Sequence, residues 1–206
     1  MACHVAWRMT LITSMSFALT GLAGCSSNPA PLTSSDPGPL ATLSSGGQVL
    51  VNGGGIPVVP GQAADFTVYV VNPADSHVEL VSAALVPVPG YPEARFLHVG
   101  LMLRPDVLGA GRGWPSGIPT RPLTGARLPR GQSNIIIGIT GQAAGRNYAA
   151  AGIRISYRVS GRLYHLTAWS VGVACVRKVV GPSYPGCSAA VSKAVAAVRK
   201  MIGLPG

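Results

Sequence analysis

Residues 152–175 read GIRISYRV, then SG, then RLYHLTAWSVGVAC, and this stretch decides the fold. Its first eight residues alternate between apolar and polar, which is typical of a strand with one buried face. The apolar side is formed by Ile153, Ile155, Tyr157 and Val159, and the polar side by Arg154, Ser156 and Arg158. The alternation therefore predicts a strand that buries its isoleucines and exposes its arginines.

The dipeptide Ser160-Gly161 is a two-residue hairpin connection between this strand and the next one. A two-residue loop pairs Val159 with Arg162 and Tyr157 with Tyr164. That register predicts a returning strand whose core side consists of Tyr164, Leu166 and Ala168, with His165 on the arginine side.

Further segments have strand character and turn residues between them, without the alternation of strands and helices that marks a parallel sheet. They are residues 48–52 (QVLVN), 65–71 (DFTVYVV), 77–88 (HVELVSAALVPV), 94–103 (ARFLHVGLML) and 134–140 (NIIIGIT). About seven short strands predict a mainly β protein, an antiparallel immunoglobulin-like β-sandwich.

The C-terminal segment differs from the rest, because residues 188–202 (SAAVSKAVAAVRKMI) contain neither Gly nor Pro. Val191, Val195, Val198 and Ile202 recur at helical spacing. We predict a C-terminal α-helix over 188–202, with Ser188 as N-cap and Gly203 ending it. The helix packs on the sandwich in one interpretation and rests on a bilayer as a basic amphipathic helix in the other.

The N-terminal segment has the pattern of an export signal, with Arg8 followed by the apolar run 9–22 (MTLITSMSFALTGL). The run ends in Leu22-Ala23-Gly24-Cys25, which resembles the lipobox of bacterial lipoprotein precursors; the general composition is similar to that of actinobacterial lipoproteins. The resemblance implies that residues 1–24 are removed, that Cys25 is acylated, and that the lipid anchors the chain on the extracytoplasmic face of the cell membrane. An ordinary cleaved signal with a chance cysteine is the alternative.

Residues 25–46 are rich in Ser, Pro, Gly and Thr, a composition typical of a disordered tether. We therefore expect three parts: a signal peptide over 1–24, the lipidated cysteine with its tether over 25–46, and one β-sandwich domain over 47–206.

Four cysteines are present, and the export signal accounts for two of them, Cys3 and Cys25. Outside the cytoplasm the remaining two, Cys175 and Cys187, are expected to form a disulfide. Such a bond closes a loop of about 13 residues and contributes about 3 kcal/mol in the chain-entropy model. A metal-binding cysteine pair is the alternative.

The charge is strongly one-sided, with a formal net charge of +10 and no acidic residue after Asp106. A surface of one sign attracts polyanions within about a Debye length. This predicts an anionic partner: lipid headgroups, an acidic cell-wall polymer or a protein. The alternative is compositional, since Arg, Ala, Gly and Pro abound in proteins of GC-rich genomes. Export argues against nucleic acid as the partner, and no nucleic-acid motif is present.

Residues 104–130 form a long stretch rich in Pro, Gly and Arg, and long loops in compact domains are often functional. Arginine pairs with carboxylate or phosphate groups, and tryptophan stacks on sugars or lipids. The candidate contacts for an anionic ligand are Arg104, Arg112, Trp114, Arg121, Arg127 and Arg130. The alternative is a crossover between the sheets in which Trp114 is a hydrophobic plug.

The sequence contains no convincing catalytic set. Residues 168–172 (AWSVG) resemble a nucleophile elbow around Ser170, but neither an acid nor a histidine follows that serine, as a hydrolase of that type requires. We therefore expect a non-catalytic protein without a cofactor: a binding or scaffolding module of the envelope, or an accessory subunit of an envelope complex.

A metal-handling module is the remaining alternative. Asp75, His77 and Glu79 alternate at a strand start, and the stretches 69–73 (YVVNP) and 80–83 (LVSA) resemble exported copper(I) chaperones with a β-sandwich fold. That resemblance implies ligands at His98 and Met102. The family also needs a second His and Met on a later strand, where this chain has 134–138 (NIIIG).

Overall fold

The computed structural model describes residues 38–42, 44–45, 48–49, 51–73, 75–103, 109–112, 119–180 and 185–204. All of them belong to one compact unit, Pro31–Gly206. The signal peptide, Cys25 and the first part of the expected tether lie outside the described residues. The strands are β1 (Ser44–Ser45), β2 (Gln48–Val49), β3 (Gly53–Val58), β4 (Ala64–Asn72), β5 (Val78–Pro87), β6 (Arg95–Met102), β7 (Ala110–Arg112), β8 (Thr120–Pro122), β9 (Arg127–Leu128), β10 (Gly131–Thr140), β11 (Asn147–Val159) and β12 (Arg162–Val176). The helix is α1 (Pro185–Met201).

Two five-stranded sheets form a sandwich, which confirms the predicted fold class. The front sheet has the order β7-β4-β10-β6-β8, and the back sheet has the order β3-β12-β11-β5-β9. The pairings within both sheets are antiparallel except for β3 with β12, which is parallel. A separate two-stranded ribbon joins β1 to β2.

The core lies between the two sheets, where alternate residues of each strand meet. From the front sheet it receives Phe66, Val68, Val70, Leu101, Ile135, Ile137 and Ile139, and from the back sheet Leu80, Ile153, Ile155, Tyr157, Leu166 and Ala168. Burying side chains of this size stabilises the fold by about 1.5–3 kcal/mol each relative to leaving them in water. The period-two pattern of the sequence is therefore the direct cause of the two-layer architecture.

The hairpin of β11 and β12 has the register that the sequence predicts. Val159 pairs with Arg162, Tyr157 with Tyr164 and Ser156 with His165. A bulge at Gly152 shifts the register further along. Gly152 has a φ of 148°, and a Cβ there would lie 2.1 Å from the carbonyl oxygen of Ala168, so glycine is required at this close backbone approach.

Helix α1 packs on the outer face of the back sheet, as the first of the two interpretations predicts. It begins at Pro185, three residues before the expected cap Ser188, since proline suits the first helical turn. Its C-terminus is a Schellman motif: the N–H of Gly203 donates to the carbonyl of Lys200, and that of Leu204 to Arg199. Gly203 has the positive φ, 76°, that the motif needs.

The helix lies very close to the sheet because both surfaces are made of small residues. Its buried side consists of Cys187, Ala190, Ala194 and Val198, and Val191 and Val195 of the predicted stripe pack beside them. Below it, a Cβ on Gly55 would lie 2.6 Å from Cys187 Sγ. The predicted disulfide is confirmed: Cys175 in β12 is bonded to Cys187 in the first turns of α1.

The N-terminal end of the described chain differs from the expected tether. Residues 38–42 pack on the sandwich: Leu40 is 3% exposed, and its N–H donates to the Tyr157 hydroxyl over 3.2 Å. Ala41 exchanges two backbone hydrogen bonds with Val71 at the outer edge of β4. Packing therefore begins before residue 47, because Leu40 supplies an apolar side chain that covers one end of the core.

Residues 104–130 are not one structureless loop. Their described parts include β7, β8 and β9, each of two or three residues, and each extends an edge of a sheet. Strands this short show no periodicity, so the sequence did not reveal them.

Candidate basic face

The outer face of the back sheet is divided in two by the helix. Under α1 it is apolar, with Ala149, Ala151, Val171 and Val173 buried against the helix. Beyond the helix the same face is open and polar. We call this part the basic face and define it by Arg154, Ser156 and Arg158 on β11 and His165 and Thr167 on β12.

The arginines of the basic face reach solvent. Arg154 and Arg158 are exposed because strict alternation places them opposite Ile153, Ile155 and Tyr157, which fill the core. The ion pairs found among the described residues join Asp65 to His98 and Asp75 to Arg130. Glu79 lies opposite Arg158 in the strand register without forming an ion pair among the described residues. Two exposed arginines against one nearby carboxylate, that of Glu79, leave the face with a net positive charge.

A serine and a histidine meet on this face. Ser156 Oγ lies 3.0 Å from His165 Nδ1, across the hairpin. Nucleophilic catalysis also needs a group that orients the histidine and donors that stabilise an oxyanion. No acidic residue among the described side chains bonds to His165 to orient it. The pair is a polar contact between cross-strand neighbours.

Ser170, the residue that the elbow-like motif singled out, lies within β12 and not at a strand-to-helix turn. Its hydroxyl donates to the carbonyl oxygen of Thr67 over 3.4 Å. In this position the serine connects the two sheets.

The six residues proposed for anion contact are only partly brought together. Arg121 in β8 donates to the carbonyl oxygen of Arg127 in β9, so these two residues are neighbours. Arg130 immediately precedes β10 and pairs with Asp75 over 3.3 Å. Arg112 in β7 is on the opposite edge of the front sheet. Arg104 and Trp114 lie outside the described residues.

The residues proposed for metal binding are separated. His77 is exposed in the turn before β5, and Met102 is buried at the end of β6. Met102 is four residues from His98, about 13 Å along a strand, which is too far for two ligands of one ion. Within the described residues no three His, Cys, Asp or Glu side chains form a group that could hold a metal.

His98 instead contacts an aspartate that the sequence did not single out. His98 Nε2 lies 2.6 Å from Asp65 Oδ1, and the Asp65 side chain is almost completely buried. Burial raises the pKa of the Asp65 carboxyl above its ordinary value, and the hydrogen bond and charge of His98 oppose that rise. No periodic pattern links residues 65 and 98, so only the strand order shows that they meet.

Comparisons with known proteins give little further guidance. No family model and no curated protein matches the chain. Among solved structures the chain is similar to the CooA pilin subunit from enterotoxigenic Escherichia coli, with 15% sequence identity and a TM-score of 0.32. That similarity covers 66% of this chain and 97% of the pilin chain.

Proposed function

We propose that this protein is a non-catalytic lipoprotein of the cell envelope, held by lipid on Cys25, whose basic face binds an anionic partner. The observation that carries the proposal is the exposed pair Arg154 and Arg158 on a rigid sheet, without an ion-pair partner among the described residues. Because β11 is paired on both sides, their backbone positions are held without a loop having to order on binding.

The lipid anchor rests on the lipobox Leu22-Ala23-Gly24-Cys25. Within the described residues, no helix combines the length and the apolar character that crossing a bilayer requires. Retention by lipid is stable when two or more acyl chains are attached, since each buried CH₂ contributes about 0.8 kcal/mol. Cys25→Ala in the full chain should release the protein from the membrane fraction of cells and abolish labelling by a palmitate analogue. Retention and labelling of this variant would contradict the anchor.

The anionic partner is defined by chemistry: phosphate or carboxylate groups displayed at high density, as on headgroups or acidic wall polymers. The test uses the chain from Ser26 onward, which includes the whole compact unit and lacks the anchor. Sedimentation with anionic vesicles, neutral vesicles and an acidic polymer is compared at about 0.1 M and about 1 M salt, where the Debye length falls from about 10 to about 3 Å. Binding to the anionic probes that is lost in high salt supports the proposal.

Two double variants with equal net charge localise the contact. Arg154→Gln with Arg158→Gln removes the basic face, and Lys193→Gln with Lys200→Gln removes two exposed charges from α1. A basic residue near an anionic surface contributes about 1 kcal/mol, so removing two arginines should weaken binding by about 2 kcal/mol, which is roughly thirtyfold. Equal loss in both variants, or binding that ignores salt, would overturn the assignment of the basic face.

A further inference from the structure

The two long sides of the sandwich are closed differently. On one side β3 of the back sheet contacts β4 and β7 of the front sheet. The outer edge of β4 is covered by β7 at one end and by Ala41 at the other. On this side the back-sheet edge is covered by β3 over residues 171–176 of β12, and the front-sheet edge is covered at both ends of β4.

On the opposite side the edges of β5 and β6 are largely open. β9 pairs with β5 only at Val78 and Glu79, and β8 pairs with β6 only from Gly100 to Met102. No described strand pairs with the outer edge of β5 over residues 81–87 or of β6 over residues 95–99. We call these two segments the open seam.

A groove of about 600 Å³ lies in the open seam. Ala83, Leu85 and Phe96 line it and pack against the core, although each is only partly buried. Leu97 beside it is 38% exposed, one of few large apolar side chains in the described chain with that exposure. A groove with an apolar base and a strand edge without a partner are the two features that an added strand requires.

The direction of the backbone groups follows from the hairpin. A two-residue loop makes Val159 and Arg162 a hydrogen-bonded pair, so the backbone groups of Val159 point to β12. From Val159 back along β11, the backbone N–H and C=O groups of successive residues point alternately to β12 and to β5. Arg154 and Ser156 thus bond to β5, which leaves the N–H groups of Ala83 and Leu85 pointing at the open seam. Leu80 obeys the same rule: its N–H points outward and donates to Ala126.

The charged groups around the seam are Arg154 on β11 and two groups of opposite sign, Glu93 and Arg95, which line the groove. The first is therefore the unbalanced charge that an added strand would meet. Arg154 lies opposite Ala84, whose methyl side chain leaves room for the guanidinium to reach across β5. A strand added to β5 would be about 9.6 Å from β11, within reach of an arginine and an acidic side chain together. A second copy of this chain, with its net charge of +10, would instead bring like charges together.

We propose that the open seam binds an extended segment of a partner protein as an additional strand on β5. The segment carries apolar residues at every second position, which enter the groove, and Asp or Glu between them, which face Arg154. This rests on the proposed function in one respect, because Arg154 also belongs to the basic face. It goes beyond that function by defining a protein partner through the chemistry of its added strand.

The test uses a fluorescent peptide of about eight residues that alternates Val and Glu, a normal strand length. Peptides alternating Val with Lys, or Gly with Glu, serve as controls for charge and for apolar content. Fluorescence anisotropy with the chain from Ser26 onward should show binding of the Val–Glu peptide only. Equal binding of either control peptide would overturn the proposal.

Two substitutions at one position test the strand contact itself. Ala83→Pro removes an N–H that faces the seam and is tolerated at an edge strand. Ala83→Ser keeps it. Loss of the donor should weaken peptide binding roughly tenfold or more in Ala83→Pro, with little change in Ala83→Ser. If folded Ala83→Pro binds the peptide as tightly as the wild type, strand addition is refuted. A wild-type dimer that dissociates in Ala83→Pro would also overturn the proposal, because a second copy of the chain would then occupy the seam.

Hydrogen exchange of the wild-type chain provides a measurement independent of any variant. The amides of Ala83 and Leu85 should exchange more slowly with the Val–Glu peptide bound, and unchanged exchange would overturn the proposal. Vesicle binding separates this proposal from the basic face: Ala83→Pro should sediment with anionic vesicles like the wild type. If only the peptide experiments fail, the proposal that the basic face binds an anionic partner is therefore unaffected.

Discussion

His98 Nε2 lies 2.6 Å from Asp65 Oδ1, although the two residues belong to strands that are not neighbours. Gly138 on β10 stands between them and is paired in register with both. A Cβ on Gly138 would lie 2.2 Å from His98 Nε2, so the imidazole crosses the middle strand where a side chain is missing. The absence of a side chain at residue 138 thus makes the contact between β6 and β4 possible.

Gly138→Ala should therefore destabilise the domain. The new methyl group displaces the imidazole and leaves the buried Asp65 carboxyl without its histidine. Overpacking of this kind costs about 1–3 kcal/mol. Denaturant unfolding measures the loss, and Gly111→Ala on β7 is the matched control, because a Cβ there meets nothing within 4 Å. Similar stabilities of the two variants would contradict this account.

Asp65 should make stability depend on pH. Its pKa is raised above the ordinary 3.8, chiefly by burial, so the folded state holds the proton more tightly than the unfolded state. The stability contributed by the protonated carboxyl is fully present below 3.8 and is lost as pH rises through the raised pKa. The free energy of unfolding of the wild type, relative to Asp65→Asn, should fall over that range. Parallel pH profiles of the two proteins would show that Asp65 titrates normally.

Reduction of the disulfide between Cys175 and Cys187 should cost about 3 kcal/mol, the value for a loop of this length. The bond also holds the first turns of α1 against β12, so helix content should fall at a lower temperature in the reduced protein. Circular dichroism with and without reductant measures both effects. The Cys175→Ala, Cys187→Ala double variant must not respond to reductant, and a wild type that also fails to respond would refute the prediction.

Gly55→Ala should loosen the helix from the sheet. A methyl group at residue 55 would lie 2.6 Å from both Cys187 Sγ and Val191 Cγ2, so α1 must move outward. We expect a loss of about 1–3 kcal/mol. Gly109→Ala is the control, since its Cβ would meet open space. If both variants unfold at the same denaturant concentration, the close packing of α1 on the sheet does not contribute to the free energy of unfolding.

The sequence predicted those parts of the fold that have a local signal. Strict alternation over residues 152–159 fixed the hairpin register, because a slip by one residue would expose Ile153 and Ile155 and bury the arginines. The disulfide followed from counting cysteines. Gly203 marked the end of α1, because its backbone conformation disfavours any other residue.

Other features depend on distant contacts and left no such signal. Strand β3 reads GGGIPV, a composition that argues against a strand, and it forms because its glycines admit α1 at close range. Leu40 lies in a segment with the composition of a tether, and only its contact with the distant Tyr157 identifies it as part of the core. The open seam and the Asp65–His98 contact both follow from strand order, which the sequence did not provide.

The parallel pairing of β3 with β12 has a consequence for how the domain forms. Gly53 and Val171 are partners although more than a hundred residues separate them, and α1 follows later still. The layer that holds the early strand in place does not exist until nearly the whole chain is present. Folding should therefore begin with the local β11–β12 hairpin and finish with the docking of β3, on the slow millisecond-to-second timescale of β proteins dominated by long-range contacts.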